Sequence, residues 1–488
     1  MCTYLKFLRV QKGSFGGKLI IYGKTDAKTV KSVREIIKSR EAKIYLIGIG
    51  GVSMSAIAKM LLSRGISVGG SDISESDVTD ELRSLGARVF LGHSEENIRD
   101  FGADACAYSL SVGEDNPEYR YAKGAGIPTL SRASLIKVLC EGYGTRIGIS
   151  GTHGKSTVSA MLYSALLGAG GSADLLFGAD YFGRGAFVRG GGELAVLEAC
   201  EYGNSFLELE CDIAVLLNVE LDHTDFFSCI DDILGSFFKF ASSATRLAVL
   251  CYDDGRLMRI KERLTVRCIT FGKGEGADVR YIKRQGTPRA YSFYINNEWL
   301  CDLTLLVMGE HNASNIAAVI AVLFGIGRLN TGSLTALERF SGIGRRIECI
   351  GHIGSTGIFY DYAHHPTEIR ATLSALRSEG FGKIGVVFSP HTYSRTRSLL
   401  SDFAEALALA DEIFITDIYA AREEKAEDIA AETLALAIRK ISGNAKYLPA
   451  DRYCEIEPAR YGALVLMGAG DLWEIRQMLC HRADFLNE

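Results

Sequence analysis

The feature that most constrains this 488-residue chain is a glycine loop, residues 151–157, which reads Gly-Thr-His-Gly-Lys-Ser-Thr. An apolar run precedes the loop, and an amphipathic segment with helical character follows it. A strand, a glycine loop and a helix in this order can bind phosphate, because backbone N–H groups and the positive end of the helix dipole meet there. In such loops the lysine reaches the β- and γ-phosphates and the next hydroxyl can hold Mg²⁺. The predicted ATP-binding residues are Gly151, Thr152, His153, Gly154, Lys155, Ser156 and Thr157.

The loop departs from the eight-residue phosphate-loop motif at one position. Ile149 stands five residues before Gly154, where that motif has glycine. The shorter form found here favours ATP-dependent ligases over GTPases. A structural turn that carries a surface lysine is the alternative interpretation, and the flanking strand and helix argue against it.

The length and composition are typical of a soluble globular protein with two to four domains. The formal net charge of −5 argues against an extended nucleic-acid surface. The 12 cysteines include no Cys-x-x-Cys pair, so they indicate reduced core thiols. No apolar run reaches the roughly 18–20 residues of a membrane span, and no signal peptide is evident. We therefore expect a cytoplasmic protein without nucleic-acid or membrane partners, and the sequence leaves both a monomer and a homodimer open.

Apolar strands alternate with helical stretches along most of the chain, which predicts an α/β fold of three domains. Residues 1–42 are a basic extension to which we assign no chemistry. Residues 43–143 have the pattern of a parallel sheet wrapped by helices. Residues 144–343 begin at the glycine loop and contain an antiparallel-looking pair of strands near their end. Residues 344–488 repeat the strand–helix alternation.

A second glycine loop follows the first predicted strand, 43–47, and resembles most of a dinucleotide-binding fingerprint. Ser53 replaces its last glycine, and an aspartate follows the second strand. The pattern leaves three interpretations open, namely NAD binding, UDP binding and a structural turn. The candidate residues are Gly48, Gly50, Gly51, Val52, Ser53 and Asp72.

Acidic and imidazole side chains follow two apolar strands of the middle segment. Glu198 ends one strand, and His223 follows the next. The carboxyl ends of parallel strands meet at one edge of a sheet, so both residues should lie beside Lys155. Together with Ser156 they could hold a divalent metal on ATP phosphates, although strand-end residues also serve as caps.

Polar clusters recur in the last part of the chain. Asn312 and Asn315 are three residues apart and fall on one face of a helix, where they could contact a nucleotide or cap the helix. Two strand ends carry further clusters, which could face one shared site. Their members are Arg346 at the preceding seam, then Asp361, His364 and His365, then His391 and Arg395.

Taken together, these motifs resemble the Mur ligases of peptidoglycan synthesis over about residues 43–475, and especially the branch that adds L-alanine to UDP-N-acetylmuramate. The motifs are Gly48–Ser55, Gly151–Thr157, Glu198–Glu201, Asp222-His223, Gly309–Asn315, Arg345–Glu348, Asp361–Glu368, Pro390–Thr396 and Met467–Asp471. The resemblance implies a UDP-sugar domain, a central ATP domain and a C-terminal Rossmann-like domain. It also favours UDP over NAD at the first loop.

The resemblance further implies a role for each matching residue. Lys155 would bind the ATP phosphates, and Ser156, Glu198 and His223 would hold magnesium. Asn312 and Asn315 would contact adenine, and Arg346 and Asp361 would hold ATP. His364, His365 and Arg395 would border the amino-acid pocket. The residues implied in catalysis are Lys155, Glu198, His223, Arg346 and Asp361.

The chain also departs from the family pattern. Ser53 and Ser55 replace glycines that are common in the first loop, and Thr392 stands where many members have arginine. Arg395 then becomes the main candidate to neutralise the alanine carboxylate. Related ligases carry a carbamylated lysine, for which Lys239 is roughly in range, although this branch generally lacks it.

The implied reaction joins L-alanine to UDP-N-acetylmuramate with ATP and Mg²⁺ through an acyl phosphate. One alternative is a sister ligase that joins a recycled peptide to the same UDP-sugar. An NAD-dependent dehydrogenase would leave the loop at Gly151 unexplained. A scaffold without catalysis would not need Lys155, Glu198, His223 and Asp361 together.

Overall fold

The computed structural model describes residues 12–15, 18–21, 25–39, 41–109, 111–224, 226–421, 423–470 and 472–481. Much of the basic extension and one motif residue, Asp471, lie outside these described residues. The chain divides into two compact units. One comprises Met1–Asp278 with Ala318–Ala336, and the other comprises Val279–Ala317 with Leu337–Glu488.

The first unit begins with a parallel sheet whose strand order is β5-β4-β3-β6-β7. A two-stranded antiparallel hairpin, β1 with β2, precedes it in the chain. The elements of this first part of the unit are β1 (Lys12–Phe15), β2 (Lys18–Ile21), α1 (Ala27–Ile37), β3 (Lys43–Ile47), α2 (Val52–Ser63), β4 (Ser67–Asp72), α3 (Asp77–Ser84), β5 (Arg88–Leu91), α4 (Glu95–Phe101), β6 (Ala105–Tyr108), α5 (Pro117–Gly124), β7 (Thr129–Ser131) and α6 (Arg132–Cys140).

Helix α1 lies within the segment that the sequence analysis assigned to a basic extension. Asp26 caps it by accepting from the Thr29 amide. Val30 and Val33 are buried in the same core cluster as residues of β3 and α2. The Arg34 guanidinium pairs with the Glu141 carboxylate at 2.5 Å. This part of the extension therefore packs as an element of the fold, whereas the sequence analysis placed residues 1–42 outside the three domains.

The first unit continues with a second sheet, in which the strands run in the order β10-β9-β11-β8-β12-β13-β14. Strand β10 is antiparallel to β9, and the other pairs in this series are parallel. A 3₁₀ helix, Tyr202–Glu208, follows β11. The elements are β8 (Thr145–Ser150), α7 (Lys155–Gly168), β9 (Ala173–Leu176), β10 (Phe187–Val188), β11 (Leu194–Glu198), β12 (Ile213–Leu216), α8 (Ile230–Ser243), β13 (Leu247–Cys251), α9 (Gly255–Lys261) and β14 (Cys268–Gly272).

The second unit contains an antiparallel series, β15-β16-β17, and a sheet whose strand order is β18-β19-β23-β20-β21-β22. In that sheet β18 is antiparallel to β19 and the other pairs are parallel. The C-terminal half of α10 and most of α11 belong to the first unit. The elements from β15 onward are β15 (Val279–Lys283), β16 (Ala290–Ile295), β17 (Glu298–Thr304), α10 (Glu310–Gly325), α11 (Thr331–Glu338), β18 (Glu348–Ile353), β19 (Thr356–Asp361), α12 (Pro366–Ser378), β20 (Ile384–Phe388), α13 (Tyr393–Ser398), α14 (Leu400–Leu407), β21 (Glu412–Ile415), α15 (Ala431–Ser442), β22 (Ala445–Tyr447), β23 (Ala463–Met467) and α16 (Trp473–Cys480).

The α/β prediction is confirmed, and so is the antiparallel pair, which is β16 with β17. The second sheet of the first unit buries the parallel strands β12 and β13 completely, as their continuous apolar runs require. Within the described parts of the chain, no helix combines the length and apolar character that crossing a bilayer demands.

Candidate active site

The glycine loop of residues 151–157, which we call the phosphate loop from here on, lies between a strand and a helix as predicted. Strand β8 ends at Ser150, and α7 begins at Lys155. Gly154 caps α7 with φ 86°, and Gly151 has φ 147°. A Cβ on Gly151 would lie only 2.9 Å from the Cβ of Leu217. Both positions therefore require glycine. Gly154 is required by its backbone conformation, and Gly151 is required both by its backbone conformation and by the close approach of Leu217, just beyond β12.

The Lys155 ammonium donates to a carboxylate that the sequence analysis did not select. Its Nζ lies 3.0 Å from both carboxylate oxygens of Glu201, and it also donates to the carbonyls of Gly151 (2.5 Å) and Thr152 (3.2 Å). The Glu201 side chain is 1% exposed and that of Lys155 is 13% exposed. The two residues form a buried ion pair at the centre of the loop.

Charge pairing outweighs burial for both members of this pair. Burial by itself would lower the pKa of Lys155, but the Glu201 charge raises it above its ordinary value. Burial would likewise raise the pKa of Glu201, but Lys155 and then His223 lower it. Lys155 is therefore cationic and Glu201 anionic over the whole neutral range.

His223 lies on the other side of Glu201. Its Nε2 is 3.6 Å from a carboxylate oxygen of Glu201, and its ring centroid is 4.8 Å from that of Tyr202. Its backbone has φ 53°, and its amide donates to the Asp222 carboxylate at 2.7 Å. The predicted proximity of His223 to Lys155 is thus present, with Glu201 between them.

Ser156 and Glu198 are in direct contact, as their places at the strand edge predict. The Ser156 hydroxyl donates to Glu198 Oε2 at 2.7 Å, and the Gly178 amide donates to the same oxygen at 2.8 Å. A hydroxyl and a carboxylate at this separation are hard oxygen ligands of the kind that Mg²⁺ prefers. This donor set therefore fits a magnesium ion.

The segment after β12 fixes the shape of the loop. Asn218 accepts from the His153 amide at 2.8 Å and donates to the His153 carbonyl at 3.0 Å. The Thr152 hydroxyl accepts from the Glu220 amide at 2.8 Å, and His153 Nε2 lies 3.3 Å from the Glu220 carboxylate. Sequence reasoning missed Asn218 and Glu220, although the position of both just beyond an apolar strand was a usable signal.

The first glycine loop is fastened to the ends of β3 and β4. The Gly48 amide donates to the Ser71 carbonyl at 2.9 Å, and the Gly50 amide donates to the Asp72 carboxylate at 2.8 Å. Gly51 caps α2 without a side-chain hydrogen bond, and Val52 and Ser53 form the first turn of α2. Asp72 thus braces the loop, which accounts for its spacing from Gly50 without reference to any ligand.

In the second unit, Asn312 and Asn315 lie on one face of α10, as predicted. Asn315 donates to the Asn312 side-chain carbonyl at 3.1 Å, and Asn312 donates to the Met308 carbonyl at 2.7 Å. Both side chains are buried. The hydrogen bond between them fixes the orientation of both side-chain amides.

Asp361 ends β19 and is almost fully buried. Burial raises its pKa to about 6, against the opposing effects of the Thr372 hydroxyl and of Arg346. Thr372 donates to the carboxylate at 2.5 Å, and the Ala363 amide donates to its other oxygen at 3.0 Å. Arg346 pairs with Glu368 at 3.3 Å and stands over the Tyr362 ring.

The residues predicted for the amino-acid pocket separate into two groups. His364 and Arg395 both lie close to His391, with 6.1 Å between the two histidine ring centroids and 3.4 Å from Arg395 to His391 Nδ1. His365 is buried and caps α12 by accepting from the Thr367 amide. Thr392 caps α13 with φ 65°, an uncommon conformation for a β-branched residue.

Family models of Mur ligases match three consecutive segments of the chain. "Mur ligase family, catalytic domain" matches residues 43–143, "Mur ligase middle domain" matches residues 149–323, and "Mur ligase, glutamate ligase domain" matches residues 345–470.

Curated relatives are similar along most of their length. A UDP-N-acetylmuramate–L-alanine ligase of Acetivibrio thermocellus is 38% identical over 448 residues, which are 89% of this chain and 95% of that protein. A protein of the same name from Clostridium novyi is 36% identical over 452 residues, or 91% of this chain and 98% of that protein.

Solved structures show the same fold. The UDP-N-acetylmuramate-alanine ligase MurC of Thermotoga maritima matches with a TM-score of 0.77 at 26% identity, covering 90% of this chain and 98% of that one. A murein peptide ligase of Psychrobacter arcticus matches with a TM-score of 0.66 at 20% identity, with coverage of 90% and 98%. The three-domain α/β architecture is thereby confirmed.

Proposed function

We propose that this chain, which belongs to the Mur ligase family, joins L-alanine to the lactyl carboxylate of UDP-N-acetylmuramate at the expense of ATP. The observation that carries the proposal is the phosphate loop, in which Lys155 is held cationic beside the Ser156–Glu198 oxygen pair. Relatives named UDP-N-acetylmuramate–L-alanine ligase, which align over about nine-tenths of the chain, support the choice of substrates. We further propose that the enzyme acts in the cytoplasm as a monomer or homodimer.

The proposed reaction has two steps. A lactyl carboxylate oxygen attacks the γ-phosphorus of ATP, the bond to the β–γ bridging oxygen breaks, and ADP leaves with an acyl phosphate formed. The neutral amine of L-alanine then attacks the acyl carbon, phosphate leaves, and the nitrogen loses a proton to give the amide. Both steps involve charge on phosphoryl oxygens, so positioning and electrostatic stabilisation supply most of the rate.

The phosphate loop residues would divide this work. Backbone amides of residues 151–157 would face the phosphates, and Lys155 would hold the β- and γ-phosphoryl oxygens. Its pKa is raised by Glu201, so it keeps its proton at any working pH. Ser156, Glu198 and His223 would hold magnesium, which neutralises phosphate charge when bound.

The remaining site residues would bind and enclose the substrates. Asn312 and Asn315 would contact adenine, and Arg346 and Asp361 would hold ATP. Gly48, Gly50, Gly51, Val52, Ser53 and Asp72 would form the UDP-sugar loop. His364, His365 and Arg395 would border the alanine pocket. Because His365 caps α12, we expect it to shape this pocket rather than to contact the amino acid.

Phosphate release tests the proposal directly. The purified chain, ATP and Mg²⁺ should release phosphate only when UDP-N-acetylmuramate and an amino acid are both present, with L-alanine preferred to glycine and L-serine. Lys155→Ala should abolish release, whereas Lys261→Ala, at the exposed C-terminal end of α9, should not. Release with a murein tripeptide instead of alanine would favour the sister ligase. No release with any acceptor, alongside tight binding of NAD, would overturn the assignment.

A further inference from the structure

A small cavity in the first unit connects the first glycine loop with the phosphate-loop edge. It has a volume of about 40 Å³, and its wall includes Ser53, Arg132, Gly178, Glu198, Cys200 and Phe206. Ser53 belongs to the first turn of α2, and Glu198 is the carboxylate that accepts from Ser156. The cavity therefore joins the two places that we assign to the UDP-sugar and to the reacting phosphates.

Arg132 contributes the positive charge in this wall. Its Nε is buried and has no hydrogen-bond partner among the described residues. A buried donor without a partner costs about 1–3 kcal/mol, so a donor left in this state suits a ligand better than a purely structural role. Arg132 lines this wall together with Cys200 and Glu198.

Hydrogen bonds at the start of α6 fix the backbone position of Arg132. It is the first residue of α6, directly after the capping residue Ser131. Ser131 donates to the Glu208 carboxylate at 2.9 Å, and Ser134 donates to the same oxygen. Glu208 ends the 3₁₀ helix that follows β11, so the start of α6 is tied to the element that carries Glu201 and its neighbours. The guanidinium thus starts from a rigid base.

We propose that Arg132 binds the lactyl carboxylate of the UDP-sugar and holds it at the Glu198 end of this cavity, a role that rests on the proposed function. Two carboxylates brought together repel each other, and a guanidinium beside them offsets the repulsion. A cavity of about 40 Å³ holds only a few water molecules, which is the size of a carboxylate and much smaller than a sugar. A guanidinium also offers a planar fork that matches two carboxylate oxygens.

Two UDP-sugars that differ only in the lactyl group test whether Arg132 binds that group. UDP-N-acetylglucosamine has the same nucleotide and sugar as UDP-N-acetylmuramate but lacks the lactyl ether. Arg132→Gln should weaken binding of UDP-N-acetylmuramate roughly ten- to a hundredfold, as expected for the loss of a charge-assisted pair. It should change the affinity for UDP-N-acetylglucosamine, and the KM for ATP, less than about twofold. Titration calorimetry and phosphate release measure these quantities.

Two further variants keep the test decisive. Arg120→Gln removes an exposed arginine of α5 whose Nε donates to the Glu114 carbonyl, and it should leave both affinities unchanged. Arg132→Lys keeps the charge and loses the fork, so it should fall between wild type and Arg132→Gln. It also serves as the working variant if Arg132→Gln does not fold.

The outcomes separate this inference from the proposed function. Equal loss of both UDP-sugars in Arg132→Gln would show that the guanidinium binds the diphosphate or supports the fold. Unchanged affinity for both would show that it does not contact the substrate. In either case an active wild-type enzyme leaves the ligase assignment intact. Wild-type protein that neither prefers UDP-N-acetylmuramate to UDP-N-acetylglucosamine nor releases phosphate would overturn the assignment itself.

Discussion

Replacing Glu201 by glutamine tests whether the charge of Lys155 depends on its buried partner. The ammonium lies 3.0 Å from both Glu201 oxygens, and the carboxylate is 1% exposed. Glutamine keeps the shape of the side chain and removes its charge, so Lys155 is left as a buried cation with only carbonyl acceptors. Breaking a buried ion pair in this way typically costs about 3–5 kcal/mol.

The expected effect is a large loss of thermal stability. A change of 1 kcal/mol shifts the Tm of a domain of 150–250 residues by about 2–4 °C, so Glu201→Gln should lower the Tm by roughly 6–20 °C. Differential scanning calorimetry measures this shift. The matched control is Glu198→Gln, three residues earlier, where the donors to the carboxylate are the Ser156 hydroxyl and the Gly178 amide. Hydrogen bonds to a charged acceptor are worth about 1.5–3 kcal/mol, so that change should lower the Tm by roughly 3–12 °C.

A double variant distinguishes charge pairing from simple packing. Lys155→Met removes the stranded cation, so Lys155→Met/Glu201→Gln should melt above Glu201→Gln alone. Two results would refute the argument that the buried ion pair stabilises the loop. One is that the Tm shifts of the two single variants add up in the double variant, and the other is that Glu201→Gln melts at the same temperature as Glu198→Gln.

The pH dependence of the same comparison has a definite sign. The pKa of Glu201 is lowered in the folded protein, so its contribution to stability is present above the ordinary value of 4.5 and fades as the pH falls through the folded pKa. The pKa of Lys155 is raised, so its contribution is complete below 10.5 and fades only as the pH rises through the folded pKa. The Tm gap between wild type and Glu201→Gln should therefore stay constant across neutral pH and narrow in acid.

Three further predictions concern the metal site, the leader and Asp361. Glu198→Gln and His223→Ala should each raise the magnesium concentration for half-activity, and an unchanged dependence in both would remove them from the metal site. Deleting residues 1–24 should leave the Tm nearly unchanged, whereas deleting residues 1–39 should lower it, because α1 buries Val30 and Val33 and carries the Arg34–Glu141 pair; equal Tm values would contradict the packing role. Burial raises the pKa of Asp361 from 3.8 to about 6, so wild type should lose stability relative to Asp361→Asn as the pH rises between these values, and parallel Tm curves would count against it.

The contacts that follow from sheet geometry could be predicted from the sequence. Apolar runs located β8, β11 and β12, and parallel pairing brings the ends of such strands to one edge. That reasoning placed Glu198 beside Ser156 correctly, because Glu198 is the last residue of its strand. The helix after the glycine loop was equally predictable, since Gly154 and Lys155 mark its start.

Contacts that depend on irregular backbone could not be predicted in this way. Glu201 lies beyond the end of β11, and the turn that follows it uses positive φ at both Gly203 (61°) and Asn204 (57°). No periodic pattern reports such a turn, so the sequence did not distinguish Glu201 from a surface carboxylate. Helix α1 was missed for a different reason. Its lysines and arginine obscured a capped helix whose apolar positions, Val30 and Val33, are spaced for one face.

The missed carboxylate changes how the phosphate loop must work. A lysine that faced solvent would meet ATP with its full charge, but here the ammonium is already paired with Glu201. Glu198, a second carboxylate at the same edge, accepts from a hydroxyl and an amide, which are neutral donors. The electrostatic balance at this edge is therefore close to neutral or negative, and a nucleotide with several negative charges needs further cations there. Magnesium at the Ser156–Glu198 pair would supply that charge, so we expect it to matter more for this loop than it would for one with an unpaired lysine.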